Sequence, residues 1–141
     1  DIAYDMFSRQ GRNSDAFFNN LEPLISQIVY MVAPGNHEYM PIVGDNGANF
    51  KHRFKMPTGN NDYYTFTCGP IRFVIISTEL YYAVERKFGR TKKMIVWLQK
   101  TLTEANKNRR KQPWIIAIGH KPFYCSDSKP LRCKNGHAFV K

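Results

Sequence analysis

The stretch YYTFTCGPIRFVIIST, residues 63–78, decides the fold of this 141-residue chain. Residues 63–67 alternate as a half-buried strand does, and the Cys68-Gly69-Pro70 sequence that follows is typical of a turn. Residues 71–78 are then almost entirely apolar, as in a strand that is covered on both faces. The sequence therefore predicts a β-hairpin whose second strand lies in the centre of a sheet.

A helix and a strand are predicted after this hairpin. Residues 90–108 place apolar side chains on one face and Lys, Gln and Glu on the other, which predicts an amphipathic helix. The apolar face consists of Met94, Trp97, Leu98, Leu102 and Ala105. Residues 114–118 predict a buried strand that ends at Gly119-His120.

Before the hairpin, the sequence predicts another helix and another strand. Asn13 or Ser14 can cap a helix with apolar residues near a 3.6 period, and Pro23 is expected to kink it or to separate its first turns. The periodic residues are Phe17, Phe18, Leu21, Leu24, Ile25 and Ile28. Residues 28–33 are apolar and β-branched, so we expect a buried strand that ends at Pro34-Gly35.

The element order indicates a mixed α/β sandwich. Residues 38–61 lack periodicity and predict a long loop between the first strand and the hairpin. The 43% hydrophobic content is enough for one sizeable core. No apolar run reaches the roughly 18 residues that a membrane-spanning helix needs. We therefore expect one domain, or a piece of one, without a membrane span.

The chain is basic, with 21 Lys and Arg against 11 Asp and Glu and a formal net charge of +10. Such a balance fits either a solvated surface or one that attracts anions. The densest basic run, residues 107–111, lies at the end of a predicted helix and just after it, and the nearby aromatic residues occupy core-like positions. We therefore expect no specific nucleic-acid binding, and a basic, non-catalytic anion-binding module is one alternative function.

The cysteines indicate an oxidising compartment. Cys125 and Cys133 bracket a short polar loop that a disulfide could close, while Cys68 lies apart at the predicted turn. Neither a C-x-x-C pair nor a zinc-finger spacing is present. Three free thiols in a cytosolic protein are the alternative interpretation.

Three polar segments lie at the chain start or directly after predicted strands: residues 1–5, 35–38 and 119–122. Because ligands of open α/β sheets collect at the carboxyl ends of strands, these segments can converge on one site. The Asn36 amide oxygen and the His120 imidazole are suitable ligands for a divalent metal. Taken singly, either could also be an ordinary turn or rim residue.

The motifs D-x-x-Y (residues 1–4), GNHE (residues 35–38) and GHKPFYCS (residues 119–126) resemble, in this order and spacing, the purple acid phosphatases of the calcineurin-like metallophosphoesterase superfamily. The likeness includes residues 53–57 and 76–82 and extends over essentially the whole chain. It implies an α/β fold that is part of a calcineurin-like β-sandwich flanked by helices. Residues 1–141 would form part of a catalytic domain, truncated at both ends.

The resemblance also implies a role for each site residue. Asp1 would bridge two metals and Tyr4 would bind Fe(III). Asn36 and His120 would bind the second, divalent metal, which is Fe, Zn or Mn across the family. His37 would contact the substrate phosphate or assist the leaving group. The implied activity is hydrolysis of phosphate monoesters by a metal-bound hydroxide, with a metallophosphodiesterase or nucleotide pyrophosphatase as the alternative within the superfamily.

Two parts of the family pattern are missing from these 141 residues. The first aspartate motif would precede Asp1, and the closing Gly-His-x-His motif would follow Lys141. His137 resembles that motif only partly, and no role follows for it. We therefore expect the isolated chain to bind metals poorly and to show little activity. The resemblance and the Cys125/Cys133 spacing together imply a secreted, lysosomal or vacuolar location, although no signal peptide is seen.

Overall fold

The computed structural model describes residues 1–40, 44–81 and 89–123. Its elements, in chain order, are α1 (Arg12–Ile25), the 3-10 helix η1 (Asn36–Tyr39), α2 (Ala48–Arg53), β1 (Tyr63–Cys68), β2 (Ile71–Ile76), the 3-10 helix η2 (Thr78–Tyr81), α3 (Arg90–Lys107) and β3 (Trp114–Ile118). The predicted mixed α/β class is therefore confirmed. Cys125, Cys133 and His137 lie outside the described residues, whereas Cys68 is exposed and free.

The strands form one sheet in the order β1-β2-β3, with β2 in the centre. β1 and β2 are antiparallel and are joined through the Gly69-Pro70 turn, so the predicted hairpin and central strand are confirmed. β2 and β3 are parallel, with Ile75 opposite Ile118. Their carboxyl ends therefore lie at the same edge of the sheet, which places the residues after each strand side by side.

Two apolar clusters fill the two sides of β2. On one side, Ile75 packs in a cluster of buried residues contributed by the chain start, α2 and β1. On the other side, Val74 and Ile76 pack against Leu80 and against Met94 of α3. The central strand is thus covered on both faces, as its nearly continuous apolar sequence predicts.

The predicted helix at residues 90–108 is confirmed, but one member of its apolar face is wrong. Met94 and Ala105 are buried, whereas Leu102 is 39% exposed and Thr101 lies in the core in its place. Successive helical residues are 100° apart, so Thr101 falls near the direction of Met94, seven residues earlier. Leu102 is rotated towards solvent for the same reason.

The first helix begins and ends earlier than predicted. α1 starts at Arg12 after Gly11, which has a left-handed φ of 86°, and neither Asn13 nor Ser14 caps it. The Ser14 hydroxyl instead donates a hydrogen bond of 2.7 Å to the Gly11 carbonyl. The helix is continuous through Pro23, so the predicted separation of its first turns is wrong. Pro23 lies in the last turn, and the helix ends two residues later.

Three further predictions at residues 28–61 and 114–118 are corrected. Residues 28–33 form no strand because none of the described strands pairs with them, and Val29 is 82% exposed. Residues 38–61 are not one loop, since they include α2. The strand at Trp114–Ile118 exists but is not buried, and Trp114 is 65% exposed. In the described part of the chain, no element covers the face of β3 that carries this side chain.

None of the helices in the described ranges combines the length and the apolar character that crossing a bilayer requires.

The packing of α3 on the sheet predicts a large difference in stability between two substitutions in the same turn of this helix. Met94→Ala removes a fully buried side chain and is expected to lower the free energy of unfolding of the domain by about 2–5 kcal/mol. Val96→Ala, at a position that is 58% exposed, should change it by no more than about 0.5 kcal/mol. Urea denaturation of both variants in the full-length protein measures the difference. Equal effects would contradict the placement of α3.

Candidate functional site

Polar side chains from three distant segments meet at the carboxyl edge of the sheet. Asp1 Oδ2 lies 3.2 Å from His120 Nε2 and accepts a hydrogen bond of 2.9 Å from the Tyr4 hydroxyl. Asn36 Oδ1 lies 3.1 Å from the same His120 nitrogen. Four of the five predicted site residues thus form one cluster of oxygen and nitrogen donors, which we call the donor cluster: Asp1, Tyr4, Asn36 and His120.

His37 lies beside this donor cluster. Its backbone N–H donates a hydrogen bond of 3.0 Å to Asp1 Oδ1, and its Nε2 is 4.0 Å from Asp1 Oδ2. The ring packs against that of Tyr4, with 4.3 Å between the centroids. Nδ1 is hydrogen-bonded to the carboxylate of Asp5. Asp5 therefore orients the imidazole so that Nε2 faces the donor cluster.

The buried carboxylate of Glu38 joins two of the converging segments. Its Oε1 accepts a hydrogen bond of 2.7 Å from the N–H of Ile2, and its Oε2 accepts one of 2.7 Å from the N–H of Gly35. The neighbours of these two residues in the chain are Asp1 and Asn36. Glu38 therefore holds two members of the donor cluster at a fixed separation through the backbone.

Two glycines allow the backbone to approach the site closely. A Cβ atom on Gly35 would lie 2.2 Å from Asp1 Oδ1, a distance that no side chain can accommodate. A Cβ atom on Gly119 would lie 2.9 Å from Cγ2 of Thr78. The glycine before Asn36 and the glycine before His120 are thus required by close packing.

A second network fixes η1, the helix that carries Asn36 and His37. The hydroxyl of Tyr39 donates to the carboxylate of Asp62, which also pairs with Arg90 at the start of α3. Burial, with a further contribution from the charge of Asp62, raises the pKa of Tyr39 above its usual range, so the phenol remains a hydrogen-bond donor. Through this network η1 is attached to both the sheet and α3.

Sequence reasoning assigned no role to Asp5, Glu38 or the Asp62–Arg90 pair. Asp5 and Glu38 stand next to predicted site residues in the sequence, and this proximity was the available signal. No local pattern links Asp62 to Tyr39, which is 23 residues earlier.

The chemistry of the donor cluster fits part of a metal-binding set. Carboxylate and phenol oxygens suit Fe(III), while an amide oxygen and an imidazole suit a divalent metal. Burial lowers the pKa of His120, which favours the neutral imidazole that binds metals. Within residues 1–40, 44–81 and 89–123, however, no group of three or more His, Cys, Asp and Glu side chains is arranged to hold a metal ion. The fit therefore depends on Tyr4 and Asn36 as well as on Asp1 and His120.

Comparison with known proteins identifies a family and several relatives. The family model described as calcineurin-like phosphoesterase matches residues 3–139. The chain is 39% identical over 142 residues to acid phosphatase type 7 of Mus musculus and 37% identical to that of Homo sapiens. All of this chain, but only 32% of each of those proteins, is covered, so the chain spans about a third of their length.

Plant proteins give a similar result. Purple acid phosphatase 23 of Arabidopsis thaliana is 32% identical over 120 residues, which cover 81% of this chain and 24% of that protein. The solved structure of a purple acid phosphatase from seeds of yellow lupin, Lupinus luteus, superposes with a TM-score of 0.65 at 26% identity. That superposition covers 87% of this chain and 23% of the lupin chain.

The role of Glu38 predicts that replacing one oxygen of its carboxylate by an amide nitrogen lowers the stability of the protein. In Glu38→Gln, one of the two buried backbone N–H groups faces an amide NH₂ group instead of an oxygen. We expect a loss of about 1–3 kcal/mol in the free energy of unfolding, measured by urea denaturation of the full-length protein. The matched control is Asp15→Asn, because the Asp15 carboxylate pairs with Arg53 at the surface and should contribute about 0–1 kcal/mol. A Glu38 variant as stable as the control would contradict the role of this carboxylate.

Proposed function

Because the chain belongs to the calcineurin-like phosphoesterase family, we propose that the protein containing it is an acid phosphatase that hydrolyses phosphate monoesters. The observation that carries the proposal is the convergence of Asp1, Tyr4, Asn36 and His120 on one point at the carboxyl edge of the sheet. The similarity to acid phosphatase type 7 and to purple acid phosphatases supports the same activity. Residues 1–141 would be part of the catalytic domain.

The donor cluster would hold an Fe(III) ion and a divalent Fe, Zn or Mn ion. Asp1 would contribute to holding both metals, Tyr4 would hold the ferric ion, and Asn36 and His120 would hold the divalent ion. When bound, such a pair of metals activates water and stabilises negative charge on the phosphate oxygens. The assignment is supported by the donor types, because hard oxygen ligands suit Fe(III) and imidazole suits a divalent partner.

His37 would act on the substrate from beside the donor cluster. Its Nε2 faces Asp1 at 4.0 Å, while its Nδ1 is occupied by Asp5. Nε2 is therefore the atom that can contact a phosphate oxygen or, in the protonated imidazole, donate a proton to the departing alkoxide. The hydrogen bond to Asp5 keeps the ring in this orientation.

We propose that the protein is secreted or is located in the lysosome or vacuole. The support for it is the likeness to purple acid phosphatases and the spacing of Cys125 and Cys133, which lie outside the described residues.

A basic anion-binding module remains the second candidate. Residues 90–111 contain eight Lys and Arg against one Glu. In the described ranges, none of the five lysines of this segment has an acidic partner. Trp97 is packed against Tyr63, but Trp114 is exposed, so the expectation that the nearby aromatic residues are all core residues is wrong. Salt-sensitive binding to a polyanion without any metal requirement would favour this candidate.

Hydrolysis of an aryl phosphate at acidic pH by the full-length protein tests the phosphatase directly. We expect Asn36→Ala and His120→Ala each to lower kcat/KM by about a hundredfold or more, because a bound metal supplies several kcal/mol of charge stabilisation. Asn19→Ala, at an exposed position of α1, is the matched control and should leave the rate unchanged. Faster turnover of a bis(aryl) phosphate than of the monoester would favour a phosphodiesterase. Wild-type activity in Asn36→Ala would contradict the metal assignment.

The visible absorption spectrum gives a second test. A tyrosinate bound to Fe(III) produces a charge-transfer band, so we expect a coloured protein with two metals per chain and loss of the band in Tyr4→Phe. Tyr63→Phe is the control, since Tyr63 packs against Trp97 and is not part of the donor cluster. Retention of the band in Tyr4→Phe would show that another residue binds the iron.

A further inference from the structure

A second group of polar side chains anchors the turn that carries His120. It consists of Thr78 and Glu79, at the start of η2, and Lys121. The Lys121 backbone N–H donates a hydrogen bond of 2.9 Å to Thr78 Oγ1. The Lys121 ammonium donates one of 2.8 Å to Glu79 Oε2. None of these three residues is a member of the donor cluster.

Gly119, the residue before His120, also packs against Thr78. Gly119 approaches Thr78 so closely that a Cβ on it would lie 2.9 Å from Thr78 Cγ2 and 3.3 Å from the carbonyl oxygen of Ile76. Both neighbours of His120 in the chain are therefore held by the residues that follow β2. The His120 ring itself is free to point away from the sheet, towards Asp1 and Asn36.

The burial of Glu79 makes its pairing with Lys121 necessary. The Glu79 carboxylate is almost completely buried, and its Oε1 has no hydrogen-bond partner within the described residues. Desolvation of such a carboxylate opposes folding unless a cation compensates it, and even a compensated pair adds little net stability. A gain in stability is thus a poor explanation for this pair, whereas a fixed geometry next to His120 is a good one.

We propose that Glu79 and Lys121 form a positioning pair, which holds the turn of His120 so that its Nε2 remains within reach of Asp1 and Asn36. The inference rests on the proposed function, because the metal-binding role of His120 is part of that proposal. Replacing a residue that orients a metal ligand without touching the metal commonly changes metal affinity or activity by about 10–100-fold. Glu79 and Lys121 act through His120 and touch no reacting atom.

The first experiment follows His120 in the metal-free protein. Full-length protein is stripped of metal with a chelator and treated with diethyl pyrocarbonate, and the modification rate of each histidine is read by mass spectrometry. We expect the rate at His120 to rise severalfold in Glu79→Gln and in Lys121→Met, with no change at His52, which is exposed on α2. Lys121→Arg should retain the wild-type rate, because a guanidinium preserves the ion pair.

A matched variant and an internal comparison separate a local effect from general loosening. Lys93→Met removes an exposed lysine of α3 and should leave His120 at the wild-type rate. An equal rise at His37 and His120 in Glu79→Gln would indicate loosening of the whole site and would overturn the positioning role. An unchanged rate at His120 in both Glu79→Gln and Lys121→Met would overturn it as well.

The second experiment measures metal affinity in the same variants. Titration with Zn²⁺ should give a dissociation constant about 10–100-fold higher in Glu79→Gln and in Lys121→Met, with kcat reduced and KM little changed. The double variant should be no weaker than either single variant, because the two residues act as one unit. Zn²⁺ affinities within twofold of wild type would overturn the inference. A wild-type protein that neither binds metal nor hydrolyses phosphate esters would instead refute the proposed function, while the metal-free modification rates would still decide the role of the pair.

Discussion

The pair of hydrogen bonds accepted by the buried Glu38 carboxylate is the interaction on which the candidate site depends. Residues 1–11 contain turns but no helix or strand, so within residues 1–40, 44–81 and 89–123 no regular backbone ladder holds the segment that carries Asp1. Glu38 fixes it by binding the N–H groups of Ile2 and Gly35. Each hydrogen bond to a charged group contributes about 1.5–3 kcal/mol to the stability of the fold. This matches or exceeds the entropic cost of ordering the backbone of one residue, which is about 1–2 kcal/mol.

The sheet provides the other half of the arrangement. Since β2 and β3 are parallel, η2 and the turn of His120 begin at the same edge, and the close contact between Gly119 and Thr78 joins them. The burial of β2 on both faces makes this edge rigid, because its side chains pack against the chain start on one side and α3 on the other. Glu38 thus binds the neighbours of Asp1 and Asn36 in the chain, while Thr78 and Glu79 contact the neighbours of His120.

The elements that sequence predicted well are those whose signal is local. The hairpin has a turn between two strand-like runs, and α3 has a long amphipathic period, so both could be found without knowledge of their neighbours. Residues 28–33 are the opposite case, since an apolar β-branched run becomes a strand only where another strand pairs with it. The motifs predicted which side chains would converge, but Asp5 and Lys121 gained their roles from partners that periodicity cannot reveal.

The contact between Gly35 and Asp1 bears on inherited variation at this position. Any side chain at residue 35 would collide with the Asp1 carboxylate and with the backbone nitrogen of Asp1. A missense change there would therefore raise the unfolded fraction of the protein, which cellular proteases remove. Carriers of such a change would show a lower amount of the protein. A measurement of protein abundance would detect this change without any enzymatic assay.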